Sequence, residues 1–185
     1  PAGNVGVLIN HVAPINKGET VWTLRATDVV LIGRLLMTGH VDYSRRIAIT
    51  GSHATEHSYM DILPGCRIES LGKLALDGCK TRVIAGDVLT GIQLTEERPF
   101  LPMSCDQITV IPDGSDRDEL LGWAMPRFGE FSQSRTYLSW LMPRKHYTLD
   151  ARLKGGKRAM IMSHELQSVF PLDIYAEYLL KAIIA

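Results

Sequence analysis

The sequence predicts an α+β fold. Apolar residues recur at three- and four-residue steps after Asp28, while Arg46-Ile47-Ala48-Ile49-Thr50-Gly51 alternates with a period of two. Gln107-Ile108-Thr109-Val110-Ile111 adds a β-branched strand closed by Pro112-Asp113-Gly114. The 185 residues, 45% of them apolar, suffice for a hydrophobic core without disulfide staples. Twenty Lys plus Arg balance twenty Asp plus Glu, which argues against a nucleic-acid binder, since such proteins carry a basic excess. No apolar run approaches the roughly 20 residues that cross a bilayer.

The elements follow in order. Thr20-Val21-Trp22-Thr23-Leu24 has the composition of a short strand. Thr27 or Asp28 is expected to cap a helix whose apolar residues Val29, Ile32 and Leu36, with Met37 beside them, fall at three- and four-residue steps, closed by Thr38-Gly39. A strand followed by a capped helix reads as the edge of an α/β layer. The strand from Arg46 then pairs with Tyr59-Met60-Asp61-Ile62-Leu63, and Pro64-Gly65 turns the chain. Ile68, Leu71, Leu74 and Leu76 suit a short helix and its exit, before a strand over Thr81-Arg82-Val83-Ile84-Ala85-Gly86. Strands around one short helix describe a small unit of the β-grasp kind.

Arg98-Pro99-Phe100-Leu101-Pro102 reads as a joint. Beyond it, Leu120-Leu121-Gly122-Trp123-Ala124-Met125 is expected to return beside the Gln107 strand as a hairpin. Pro171 and Asp173 are expected to open a final helix with Ile174, Tyr175, Tyr178, Leu179, Ala182 and Ile183 on one face. That face runs into the last residue and needs a partner, so the chain is read as a segment of a longer polypeptide.

Four constellations invite chemistry. His53-Ala54-Thr55-Glu56-His57 matches an H-x-x-E-H zinc motif, in which two histidines one helical turn apart hold the metal and the glutamate activates water. Here it follows a strand exit, and the sequence favours a solvated loop. Gly86-Asp87-Val88-Leu89-Thr90-Gly91 has phosphate-loop glycine spacing, but Ile92-Gln93 stand where lysine and a hydroxyl are needed. A turn is the better reading. Arg144, Lys145, Arg152, Lys154, Lys157 and Arg158, with His146 nearby, form a basic stretch opposed locally by Asp150 alone. Asp113, Asp116, Asp118 and Glu119 form an acidic turn in which the carboxylates are expected to stay solvated. Cys66, Cys79 and Cys105 are odd in number and widely spaced, which fits ordinary thiols of a reducing compartment and gives no zinc or iron–sulfur set. Neither catalytic nor metal-ligating residues are assigned.

Read together, Pro14-Ile15-Asn16, Trp22-Thr23-Leu24, Asp28-Val29-Val30, Ile32-Gly33-Arg34-Leu35, Thr38-Gly39, Arg82-Val83-Ile84-Ala85-Gly86, Val88-Leu89-Thr90-Gly91, Gly122-Trp123-Ala124-Met125-Pro126, Arg158-Ala159-Met160 and Pro171-Leu172-Asp173 form an ordered set. That set resembles the family of A subunits of the Na+-translocating NADH:quinone oxidoreductase, over essentially the whole chain. The resemblance implies a middle to C-terminal portion of such a subunit. Residues 1–43 would be the later part of a Rossmann-like domain, 44–98 a β-grasp soluble-ligand-binding domain, and 99–185 a strand hairpin with a C-terminal helical region.

It further implies a peripheral component on the cytoplasmic face of the bacterial inner membrane, with other subunits of the complex as partners. No cofactor is expected in this segment; ubiquinone or menaquinone is a possible contact of the full subunit, with cofactor-binding residues unassigned. Flavins and iron–sulfur centres are expected on other subunits. The segments 53–59 and 142–157 depart most from the family pattern. The function expected is support of assembly, with no chemistry of its own. A free-standing β-grasp ligand-binding module and a zinc hydrolase on His53, Glu56 and His57 are the alternatives.

Overall fold

The computed structural model describes residues 4–78, 80–114, 121–132, 135–148, 150–156 and 159–184. Cys79, Asp116, Asp118, Glu119, Lys157 and Arg158 lie outside the described residues. The chain is mixed α/β and divides into two compact units, Thr27–Lys157 and the pair of segments Pro1–Ala26 with Arg158–Ala185.

The larger unit is built on a five-stranded sheet. Its strands are β1 (Arg45–Thr50), β2 (Ser58–Ile62), β3 (Thr81–Ala85), β4 (Ile92–Gln93) and β5 (Gln107–Pro112). They lie in the order β2-β1-β5-β3-β4. Central β1 and β5 run parallel, with Ile49 opposite Ile108, and the other pairs are antiparallel. Alternation in β1 does what its period requires: Ile47 and Ile49 are buried while Arg46 between its neighbours is exposed. Ile47, Ile108 and Val110 lose all contact with solvent, each such burial contributing about 1.5–3 kcal/mol. Leu74, Leu94, Leu101 and Ile62 complete this core. Ile68 and Leu71 pack against it from a single 3-10 turn, Ile68–Leu71, where the sequence suggests a short helix. The two-residue β4 is too short to leave a periodic signature in the sequence.

Where β1 leaves the sheet it passes close against β5. Gly51 has φ +107°, and a Cβ built there would sit 2.1 Å from the Val110 carbonyl oxygen. A methyl group has no room at this position, and the His53 amide uses the same carbonyl at 3.1 Å.

Helix α2 (Ala26–Thr38) closes at Gly39, whose left-handed φ of +72° lets its amide reach the Leu35 carbonyl at 2.8 Å. The start differs from expectation: the helix begins at Ala26, so Thr27 and Asp28 lie inside the first turn. There both meet Arg45, the first residue of β1. The Arg45 guanidinium, 4% exposed, donates to Asp28 Oδ1 at 2.5 Å and Thr27 Oγ1 at 3.3 Å, and approaches Asp106 Oδ1 at 3.5 Å. This pairing turns the other side of the helix outward. Val29, Ile32, Leu36 and Met37 are exposed, and the less exposed apolar positions are Leu31 and Leu35.

Two expected strands do not form. Residues 20–24 pair with no strand and expose Trp22, because propensity without a neighbouring ladder leaves the backbone unpaired. In the expected hairpin, Leu120 lies outside the described residues and Gly122–Ala124 fold into a 3-10 turn. The antiparallel neighbour of β5 is β3 instead, so the edge the hairpin required is already occupied.

In the smaller unit, Asn4 caps helix α1 (Val5–Val12) by accepting from the Val7 amide at 3.3 Å. Helices α3 (Glu165–Val169) and α4 (Ala176–Ile184) are locked by the Gln167 side chain, which donates to the Ile174 carbonyl at 2.6 Å and accepts from the Ala176 amide at 2.9 Å. Gln167 therefore fixes the start of α4 at Ala176, later than Pro171 or Asp173. Ala176 and Glu177 are buried, whereas the expected face keeps Tyr178, Leu179 and Ile183 exposed. Glu177 accepts the His164 amide at 3.1 Å, holding His164 at a left-handed φ of 63°.

Gly51→Ala should cost about 3 kcal/mol or more, measured by urea unfolding, because the close contact adds to backbone strain. Gly39→Ala, at φ +72° in open space, should cost only about 1 kcal/mol. Arg45→Met should cost about 2–3 kcal/mol by the same measurement, as it strands two partly exposed carboxylates beside a buried site. Asp106→Asn should cost under about 1 kcal/mol.

Candidate functional site

The strand-exit loop after β3 and the chain leading into β5 enclose a pocket of about 290 Å³. Gly86, Asp87, Thr90 and Gly91 form one wall, and Cys105, Asp106 and Gln107 the other. The walls are joined by the Gly86 amide, which donates to the Gln107 carbonyl at 2.7 Å. Gly91 must lack a side chain, since a Cβ would meet the Asp87 carbonyl oxygen at 2.4 Å and Ile84 at 2.5 Å. The phosphate-loop glycine spacing therefore serves a tight turn.

Asp87 supplies the anion for that turn. One carboxylate oxygen accepts the Leu89 and Thr90 amides at 2.7 and 2.9 Å, and the other accepts the Thr90 hydroxyl at 2.6 Å. The bond from the Thr90 hydroxyl, followed by the two amides, holds this carboxyl below the ordinary aspartate range. Donors that could cradle a phosphate are thus already turned onto a fixed negative charge, which repels one. The opposite wall carries the Cys105 thiol, which donates to the Gln107 carbonyl at 3.1 Å. Burial pushes its pKa up, so the thiol is held as the neutral form.

The His53–His57 string lies in turns between β1 and β2, without the helix a zinc motif requires. His57 Nε2 is 3.0 Å from the Gly51 carbonyl, and Glu56 accepts from Ser58 at 3.4 Å. No group of three or more potential metal ligands occurs among the described residues.

Comparison with known proteins addresses what the pocket alone does not. The family described as NqrA second alpha/beta domain matches residues 1–41, and the one described as NQRA C-terminal domain matches residues 46–96. Among curated proteins, the A subunit of the Na(+)-translocating NADH-quinone reductase of Rhodopirellula baltica is 36% identical over 185 residues, all of this chain and 40% of the relative. The corresponding proteins of Alcanivorax borkumensis and Neisseria meningitidis serogroup C are 34% and 33% identical over 184 residues, each covered to 41% of its length. Over its whole length the chain is similar to these A subunits, and two NqrA domain families match it in order. It spans about two-fifths of the length of these relatives.

The loop wall of the pocket falls inside the segment matched as the NQRA C-terminal domain, and Cys105 to Gln107 follow it. Among the described residues, members of both charge clusters are paired over distance. Asp113 is buried, not solvated: Arg82 Nη2 donates to it at 2.8 Å and Lys80 Nζ at 3.2 Å. In the basic stretch, Arg152 and Lys154 both bind Glu130 at 2.8 Å, and Arg127 joins them at 2.9 Å. Glu130 lies outside the window in which Asp150 is the sole counter-charge. Burial alone raises its carboxyl, but bonds from Lys154 and Arg127 outweigh that and hold it below the ordinary glutamate value. Its stabilising contribution is therefore complete above the ordinary glutamate range and lost as pH falls through the lower folded value.

Carbon-detected NMR of the Asp87 carboxyl should give a titration midpoint below the ordinary value of about 3.9. Thr90→Val should move that midpoint upward while leaving the Leu89 amide bond in place. A midpoint unaffected by the substitution would contradict the assignment of the Thr90 hydroxyl as its main cause.

Proposed function

We propose that this chain acts as part of the peripheral A subunit of a sodium-translocating NADH:quinone reductase, supplying docking surface and no redox chemistry of its own. The observation that carries the proposal is the outward apolar stripe of α2. Leu36 and Met37 are 80% and 89% exposed, with Val29 and Ile32 beside them. A contiguous stripe of this kind favours burial against another protein surface. Among the described residues no helix is long and apolar enough to cross a membrane, which agrees with peripheral attachment. The cytoplasmic face of the bacterial inner membrane and the neighbouring subunits as partners belong to the same reading, with flavins and iron–sulfur centres placed on those neighbours.

The finer architecture is part of the proposal. Supporting a β-grasp unit over 44–98 and its continuation are the strand order β2-β1-β5-β3-β4, the parallel central pair, and the helical turn between β2 and β3. Supporting a Rossmann-like edge over 1–43 are the two helices it carries, α1 and α2. Residues 99–185 are proposed as the C-terminal region. Contact with ubiquinone or menaquinone is proposed for the full-length protein, and the loop of Gly86 to Gly91 is the place to test it by photo-crosslinking.

Ile32→Glu with Leu36→Glu, introduced into the full-length protein and co-expressed with its partners, should reduce co-purification of the complex at least tenfold. Its thermal midpoint should fall by no more than about 2 °C, since the substituted positions are already exposed in this fold. Undiminished co-purification would overturn the docking role of α2.

A further inference from the structure

A second pocket, of about 390 Å³, lies in the segment after Gly122, where the sequence carries little periodic signal. Phe131, Trp140 and Tyr147 wall it with rings, Met142 and Pro143 add apolar surface, and Arg135 brings a positive charge. The walls are fixed before any ligand arrives. Phe131 and Tyr147 meet edge to face at 5.9 Å, and the Tyr147 hydroxyl donates to the Ser139 carbonyl at 3.0 Å. That carbonyl also accepts the Met142 amide at 2.9 Å, while the buried Ser139 donates its own amide to the Arg127 carbonyl at 3.2 Å. Glu130, next to Phe131, is held by Arg127, Arg152 and Lys154, so both flanks of the pocket are pinned.

Two features of this wall are open to an occupant. Phe131 and Trp140 are about half exposed, leaving broad ring faces in water. Arg135 is exposed and forms no ion pair among the described residues. The volume falls within the range of small-molecule sites, about 300–1,000 Å³, whose usual lining is aromatic with a few placed polar groups.

From these observations we infer that the pocket binds a small, flat aromatic anion, its ring system against Phe131 and Trp140 and its carboxylate or sulfonate toward Arg135. Ring burial supplies most of the affinity and the guanidinium selects the charge, since a charge-assisted bond rejects a neutral isostere. Nothing in this inference depends on the docking role of α2, so either can fail alone.

The test is calorimetric titration of the full chain with 2-naphthoate and its neutral isostere 2-naphthamide. Naphthoate should bind saturably and at least tenfold tighter than the amide. Arg135→Gln should abolish that preference, weakening naphthoate about tenfold and leaving the amide unchanged, with the thermal midpoint preserved. Trp140→Ala should weaken both ligands. Equal binding of acid and amide, no saturable binding of naphthoate, or a naphthoate affinity indifferent to Arg135→Gln would each overturn the inference. Should Trp140→Ala not fold, the Arg135→Gln comparison decides alone.

Discussion

A single buried cation sets the geometry of the larger unit. Arg45 opens β1 with its guanidinium almost wholly out of water, a position tolerable only because carboxylates reach it. Those carboxylates come from the first turn of α2 and from the residue preceding β5. The helix start, the first strand and the last strand are thereby tied at one point. Their mutual placement has further consequences. Fixing Asp106 fixes Cys105 and Gln107 on either side of it, and Gln107 receives the amide that joins the pocket's two walls. Drawing Asp28 inward also rotates the Val29–Ile32–Leu36 stripe outward. The interaction that ties α2 to the sheet thus creates a broad exposed apolar surface on the same helix.

Parts of this arrangement are legible from residue types alone. Ile47 and Ile49 alternate with polar neighbours, and only one strand register buries both, so β1 and its partners emerge with boundaries displaced by a residue or so. Gly39 closes α2 because local chemistry suffices there. Residues 20–24 mislead for the opposite reason: β-branched composition favours a strand only when a neighbour offers unpaired amides, and none does. Helix α1 escapes detection because its eight residues are too few to establish a period; its start rests on one capping asparagine. The start of α4 depends on Gln167, nine residues before Ala176, a contact without periodic signature.

Charge is the least legible property, again for a physical reason. A window along the sequence weighs Arg144, Lys145, Arg152 and Lys154 against Asp150, but electrostatic energy depends on distance in space. Glu130 enters that cluster from 22 residues away and accepts three cations. Asp113 reads in sequence as a member of a solvated acidic turn, and the fold places it beneath Arg82 and Lys80. Asp113 is consumed at the edge of the sheet, and Glu130 in tying together its own segment, 127–154. The overall balance of twenty against twenty therefore says little about the surface, because part of each total is neutralised internally.

The candidate pockets differ in what holds them, and that difference bears on function. The Asp87 loop is closed on itself: its amides and hydroxyl satisfy one carboxylate, its glycines leave no space for side chains, and the facing thiol is neutral. Such a site is rigid and already electrostatically complete, so it offers an incoming anion only competition. The aromatic pocket has the opposite character. Hydrogen bonds and the Glu130 cluster fix its frame, while its ring faces stay half exposed and Arg135 has no ion-pair partner among the described residues. Preorganised walls are what lower the entropic cost of binding. Fold topology places the first pocket at a strand exit, where a site is easiest to suspect. The physical chemistry of the side chains gives the second the stronger case as a place where a ligand would gain free energy.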